Sequence, residues 1–159
     1  MSHAFVAAVA ARDAAAAARL LRARAAPPDD AVEALLAGDG AAWAEFVADP
    51  SCAGPTDQLA AAAPALRAPA VVAAVAARRP EPVARLLANG ALAGAREREA
   101  ARRALLVADA KLWREFSRDE ACAAVGVPAV LKALPELAAQ GLIGAFFLAS
   151  VARTTSVCV

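Results

Sequence analysis

The residues able to do acid–base or nucleophilic chemistry are few and scattered. His3 is the only histidine and stands at the start of the chain. No Ser–His or Cys–His pair with a third orienting group can be assembled around it. Cys52, Cys122 and Cys158 lack the close spacing of a metal site. Glu45 and Glu115 suggest a carboxylate pair for hydrolysis, but nothing in their spacing brings them together, and they read as solvated helix faces. No glycine-rich phosphate loop occurs. The sequence therefore predicts no enzyme, no cofactor and no metal. What remains is recognition by fixed charge. Arg12, Asp39, Arg78, Arg79, Asp109 and Lys111 fall in or beside short turns between apolar runs, where side chains are exposed and held by rigid neighbours. These six are the candidate partner-binding residues, with basic and acidic bands alternating along one edge to orient a charged protein.

A repeated unit must position them. Residues 70–91 read AVVAAVAARRPEPVARLLANGA, in which two apolar runs flank Arg78-Arg79-Pro80-Glu81-Pro82 and Asn89-Gly90 closes the second. That is the punctuation of two helices joined by a turn. Residues 6–12 match residues 72–78 one for one, and Arg19-Leu20-Leu21 falls on Arg85-Leu86-Leu87, a shift of about 66. Alanine-rich segments match cheaply, so a copy independent of alanine carries more weight. Leu35-Leu36, Asp39, Trp43, Glu45-Phe46, Asp49 and Cys52-Ala53 recur as Leu105-Leu106, Asp109, Trp113, Glu115-Phe116, Asp119 and Cys122-Ala123, a shift of about 70. The chain's two tryptophans occupy equivalent places.

Taken in order, residues 2–11 and 14–24 predict helices that Ser2 and Asp13 can cap, with Pro27-Pro28 stopping the second. Asp30 and Glu33 have capping-box spacing before a helix over 31–37. Gly38-Asp39-Gly40 is a tight turn, and the helix bearing Trp43, Phe46 and Val47 ends at Asp49-Pro50. Residues 55–68 are the least regular, with Asp57 able to cap and Pro64 interrupting. The pair over 69–87 follows, with Pro69 suited to a first helical position. A charged helix spans 95–107, in which Glu99 and Arg103 suit i, i+4 support. Asp109 caps a tryptophan helix, Asp119 opens a short run to Gly126, and Pro128 and Pro135 suit helix starts. An apolar segment, 142–153, precedes a tail expected to fray. Trp43/Phe46 and Trp113/Phe116 each share a helix face and are expected in the core.

Composition agrees with an all-α chain. Hydrophobic residues make up 60% of the 159, alanine is roughly a third, and aromatics are 4% with no tyrosine. Alanine is the best helix former, and a sheet would want aromatics and β-branched residues. The net charge of +1 gives no reason to expect nucleic acid or a membrane surface. No apolar run reaches the length of a membrane span. Cys52 and Cys122, at equivalent places in separate units, suit packed thiols and a reducing, cytoplasmic setting. The N-terminal arginines would also suit a mitochondrial presequence, but the internal copy of that segment favours a structural role.

VAAVAARRPEPVARLLANGA resembles the LAA…VVxLLxxGA habit of ankyrin repeats, and LLAGDGAAWAEFVADPSC is similar in plan. A HEAT-like or other alpha-solenoid is the structural alternative. Either way the expected fold is one domain, 1–159, of stacked antiparallel helix pairs. Its units lie near 3–26, 31–54, 70–93 and 101–124, with C-terminal capping helices over 128–153. What the resemblance implies is a non-enzymatic protein–protein interaction scaffold or adaptor, binding another protein on its tips or concave face. The alternative is a structural subunit of a larger assembly.

Overall fold

The computed structural model describes residues 2–24, 29–37, 40–108 and 110–140. Among them are ten α-helices and no strand: α1 (Ser2–Ala10), α2 (Ala14–Arg24), α3 (Asp29–Ala37), α4 (Gly40–Ala48), α5 (Ala53–Ala62), α6 (Arg67–Ala76), α7 (Pro80–Ala88), α8 (Ala95–Arg103), α9 (Ala110–Arg118) and α10 (Glu120–Ala133). The chain is all-α. Short 3₁₀ turns at Pro50–Cys52, Pro64–Leu66 and Pro135–Gln140 and a π turn at Ala104–Ala108 join them. The segment 142–153, the tail, Asp39 and Asp109 lie outside the described residues.

One continuous apolar core runs from Phe5 and Val9 of α1 to Leu137. α6 is its axis, packing on α4, α7, α8 and α9, while α2 packs on α5 and α7 on α10. Small alanines at Ala68, Ala70, Ala73 and Ala74, all buried, let the neighbours of α6 come close. The large side chains that fill the remaining space fall at equivalent positions. Leu35 and Leu105, Phe46 and Phe116, and Cys52 and Cys122 are each fully buried. Trp43 stacks on Phe46 with centroids 6.1 Å apart, and Trp113 on Phe116 at 5.9 Å. The tryptophans are core, as expected, and each shares a helix face with its phenylalanine.

Proline placement departs from expectation in an instructive way. Pro55 and Pro69 each lie in the third position of their helices, and Pro128 lies inside α10 rather than at a helix start. First-turn N–H groups have no intrahelical partner, so proline loses little there. Pro128 instead frees the carbonyl of Ala124, but both residues are exposed, so water can take that acceptor. Asp57 does not cap a helix. It lies inside α5 and reaches Arg85 of α7 at 2.8 Å, tying the two segments together. Arg67 does the capping, donating to the carbonyls of Ala60 (2.8 Å) and Ala61 (3.1 Å) at the end of α5.

Glu99 takes Arg103 at 2.9 Å, as its spacing predicts, and Arg102 as well at 2.7 Å. Hydrogen bonds from Arg102 and then Arg103 hold its carboxyl at about 2, below the ordinary 4.5. The sign follows from the depressed value. Whatever this cluster adds to stability is present above pH 4.5 and is lost as pH falls toward 2. Acid titration of unfolding should therefore show a smaller loss over that window in Glu99→Gln than in the native chain.

Gly126 faces the ring of Phe116, and a Cβ there would overlap it. Phe116 is fully buried and has nowhere to go. An alanine inside a helix ordinarily gains about 0.5–1 kcal/mol over glycine. Here the sign should reverse, with Gly126→Ala destabilising by about 1–3 kcal/mol through overpacking in a denaturant titration.

Candidate functional site

Two turns carry the same unusual backbone. After α1, Ala11 N–H bonds Ala7 O at 2.9 Å, Arg12 N–H bonds Val9 O at 3.0 Å, and Asp13 N–H reaches back to Ala8 O at 2.9 Å. After α6, Ala77, Arg78 and Arg79 bond the carbonyls of Ala73, Val75 and Ala74, each at 3.0 Å. This double closure places the residue after the helix in the left-handed region. Arg12 has φ 53° and Arg78 φ 54°; among the described residues these are the only non-glycine positions with positive φ. Glycine normally takes such a place because a Cβ there crowds the following carbonyl.

A buried thiol reaches each turn. Cys52 Sγ donates to Arg12 O at 3.6 Å, and Cys122 Sγ to Arg78 O at 3.4 Å. Each cysteine is in turn set by an aspartate three residues earlier. Asp49 accepts from the Ser51 N–H at 2.9 Å and from the Ser51 hydroxyl at 2.7 Å. Asp119 accepts from the N–H groups of Ala121 (3.0 Å) and Cys122 (3.3 Å). So the turn between α1 and α2 meets the link between α4 and α5, and the turn after α6 meets the link after α9. The constellation Arg–Asp–Cys occurs twice.

The electrostatics follow from these contacts. Hydrogen bonds from Ser51, then the charges of Arg12 and Arg79, hold the Asp49 carboxyl below its usual range. Burial raises the Cys52 thiol, and Ser51 partly opposes it. Burial, with the Asp119 charge added, pushes Cys122 up to about 11, against the pull of Arg78. Both thiols are free and buried. A thiol protonated at neutral pH is a poor nucleophile, and a carboxylate held low is a poor base for Ser51. These groups hold backbone.

Of the residues expected to bind a partner, Arg12 and Arg78 are exposed on these turns. Among the described residues neither guanidinium forms an ion pair. Arg79 is half-buried, its Nε without a hydrogen-bond partner in the protein, and its charge reaches Asp49. Lys111 is exposed in the first turn of α9 and stands 3.7 Å from Glu115. It lies seven residues, about 10 Å along the helix, from Arg118 at the end of α9 that meets Arg78. Asp39 and Asp109 fall outside the described residues. The acids that do reach the arginine turns are Asp49 and Asp119. Their signal was available: both belong to the non-alanine repeat, each followed at the same distance by a cysteine. Asp13 joins them, capping α2 through the Ala16 N–H at 2.9 Å.

The edge therefore combines acids committed to helix starts with arginines that are not. Such an arrangement can hold an anionic group without forming or breaking covalent bonds. No family model, no curated protein and no solved structure matches this chain.

Proposed function

We propose that this chain is a non-enzymatic helical-repeat adaptor, ankyrin-like in its paired helices, that binds an acidic segment of another protein along the edge bearing Arg12 and Arg78. One observation carries the reading: an exposed arginine holds a left-handed backbone position in both halves of the chain. A side-chain-bearing residue costs about 1–2 kcal/mol in that conformation. Strain kept twice at equivalent exposed sites supports a role for the guanidinium itself. The neighbouring aspartates support it further, because Asp13, Asp49 and Asp119 already accept backbone N–H groups and leave the arginines to an outside carboxylate.

Charge reversal at Arg12 and Arg78, followed by association rates against ionic strength with a partner captured from the native source, tests the reading. A companion variant separates side chain from backbone. Arg78→Gly should raise stability by about 0.5–1 kcal/mol by relieving the turn, less than the full strain because glycine loses more entropy on folding. It should also weaken binding. A variant that gains neither stability nor loses affinity would count against a functional Arg78.

A permanent place inside a larger assembly is the second reading, favoured by exposed Leu36, Val107 and Val125. A chain that stays monomeric and monodisperse at high concentration when made alone would exclude it.

A further inference from the structure

The row α1, α4, α6 and α9, each packed on the next, is covered unevenly. α3 rests on α1 and α4, and α8 rests on α6. Between α3 and α8 the seam of α4 with α6 stays open, as a groove of about 380 Å³. Its floor is Ala44 of α4 with Val72, Ala73 and Ala76 of α6, and its walls present Leu36 of α3 and Ala100 of α8. Every residue lining the groove is apolar. The floor follows α6 from Ala68 to Ala76, about 12 Å or two turns of helix. Alanines dominate it, so the axis of a helix laid there can come close. Leu36, at the rim, is one of three large apolar side chains left exposed among the described residues.

The two walls carry opposite charge. α3 holds Asp29, Asp30 and Glu33 and no base, whereas α8 holds four arginines against two glutamates. Helical spacing brings these charges to the groove. Asp29 and Glu33 stand seven and three residues before Leu36, and Arg96 and Arg103 stand four before and three after Ala100. All four are exposed. Among the described residues Asp29, Glu33 and Arg96 form no ion pair. Arg103 shares Glu99 with Arg102, so that cluster keeps a net positive charge. The result is an apolar trough with one acidic and one basic rim.

We propose that the groove between α3 and α8 receives an amphipathic helix of another protein, with basic residues along one flank of its apolar stripe and acidic residues along the other. The apolar stripe meets the alanine floor, the basic flank meets Asp29 and Glu33, and the acidic flank meets Arg96 and Arg103. The walls also fix the direction of the bound helix, because turning it end for end exchanges its flanks. The inference does not rest on the edge bearing Arg12 and Arg78, and its test leaves both arginines in place.

Three fluorescent alanine-based peptides test it, each about 18 residues so that it is helical alone, titrated by anisotropy with the full chain. All share one leucine stripe. The first has lysines on one flank and glutamates on the other, the second lysines on both, the third glutamates on both. At low salt the mixed peptide should bind about fivefold or more tightly than either of the others. Arg96→Glu with Arg103→Glu makes both walls acidic and should move the preference to the lysine peptide. Asp29→Lys with Glu33→Lys makes both basic and should move it to the glutamate peptide. Ala76→Gln with Ala100→Gln, at two exposed lining positions, should abolish binding of all three while the thermal midpoint holds. Absence of binding by the mixed peptide would overturn the proposal, as would a preference that ignores the wall charges. A native chain that self-associates, and that this glutamine variant disperses, would give the groove to a second copy and overturn it too.

Discussion

Trp113→Ala should lower stability by about 3–5 kcal/mol, the usual cost of truncating a buried aromatic. Trp113 is fully buried and stacked on Phe116 at 5.9 Å, so the loss is a cavity that neighbouring rings and alanines cannot refill. Its indole N–H has no hydrogen-bond partner in the protein, so no bond is lost with the ring. Removing an orphaned donor recovers part of the penalty for burying it, which places the expected value toward the low end. Trp113→Phe isolates that contribution. It keeps most of the ring, removes the orphaned N–H, and should cost less than about 1.5 kcal/mol. For a chain of this size the alanine variant should shift the thermal midpoint down by roughly 6–20 °C. Trp43→Ala should cost a similar amount, because its partner, burial and orphaned N–H are the same. An unchanged midpoint for either variant would make that tryptophan a surface anchor. Unequal losses would break the equivalence of the two halves.

That equivalence was legible because it rests on rare residues. Two tryptophans, two cysteines and the aspartates between them fall in one register, and the structure gives the cysteines matching bonds and the tryptophans matching stacks. Helix existence was also legible, since alanine-rich runs broken by Pro, Gly and Asp leave few alternatives. Proline roles were not, because a first-turn proline is tolerated at several positions and so fixes a helix start only loosely. Asp57 shows the limit of local reading. Its type suits a cap, but α5 begins before it, and a half-exposed contact with Arg85 of α7 decides its role.

The candidate edge divides the same way. Arg12 and Arg78 are readable from the exact repeat of residues 6–12 as 72–78, and both end exposed on turns. Their left-handed φ is not readable, because nothing in an arginine announces a place that glycine would normally take. Nor does spacing say which acids arrive beside them. Asp49 and Asp119 do so because the ends of α4 and α9 cross to the turns after α1 and α6, a consequence of packing rather than of sequence order. Arg79 differs again. Its position one residue beyond Arg78 aims it inward, toward Asp49, so it tunes the edge from beneath.

Reversing both exposed charges, Arg12→Glu with Arg78→Glu, should slow association with an acidic partner by about tenfold or more at low salt. The change acts through long-range attraction, so the difference from the native chain should shrink as ionic strength rises and screening sets in. Folding should survive it. Both side chains are exposed, neither forms an ion pair among the described residues, and the turns are held by backbone bonds and the two thiols. The helical spectrum should therefore be unchanged. Arg12→Lys with Arg78→Lys adds a finer reading, since lysine keeps the charge but loses the planar fork that matches a carboxylate. If the arginines only steer, the lysine variant should associate at the native rate and dissociate no faster. If each grips a carboxylate through paired N–H groups, dissociation should quicken while association holds, because steering acts on the approach and geometry on the bound state. Equal association rates for native and reversed chains at low salt would place the partner off this edge, and the exposed Leu36 and Val107 would then be the first residues to substitute.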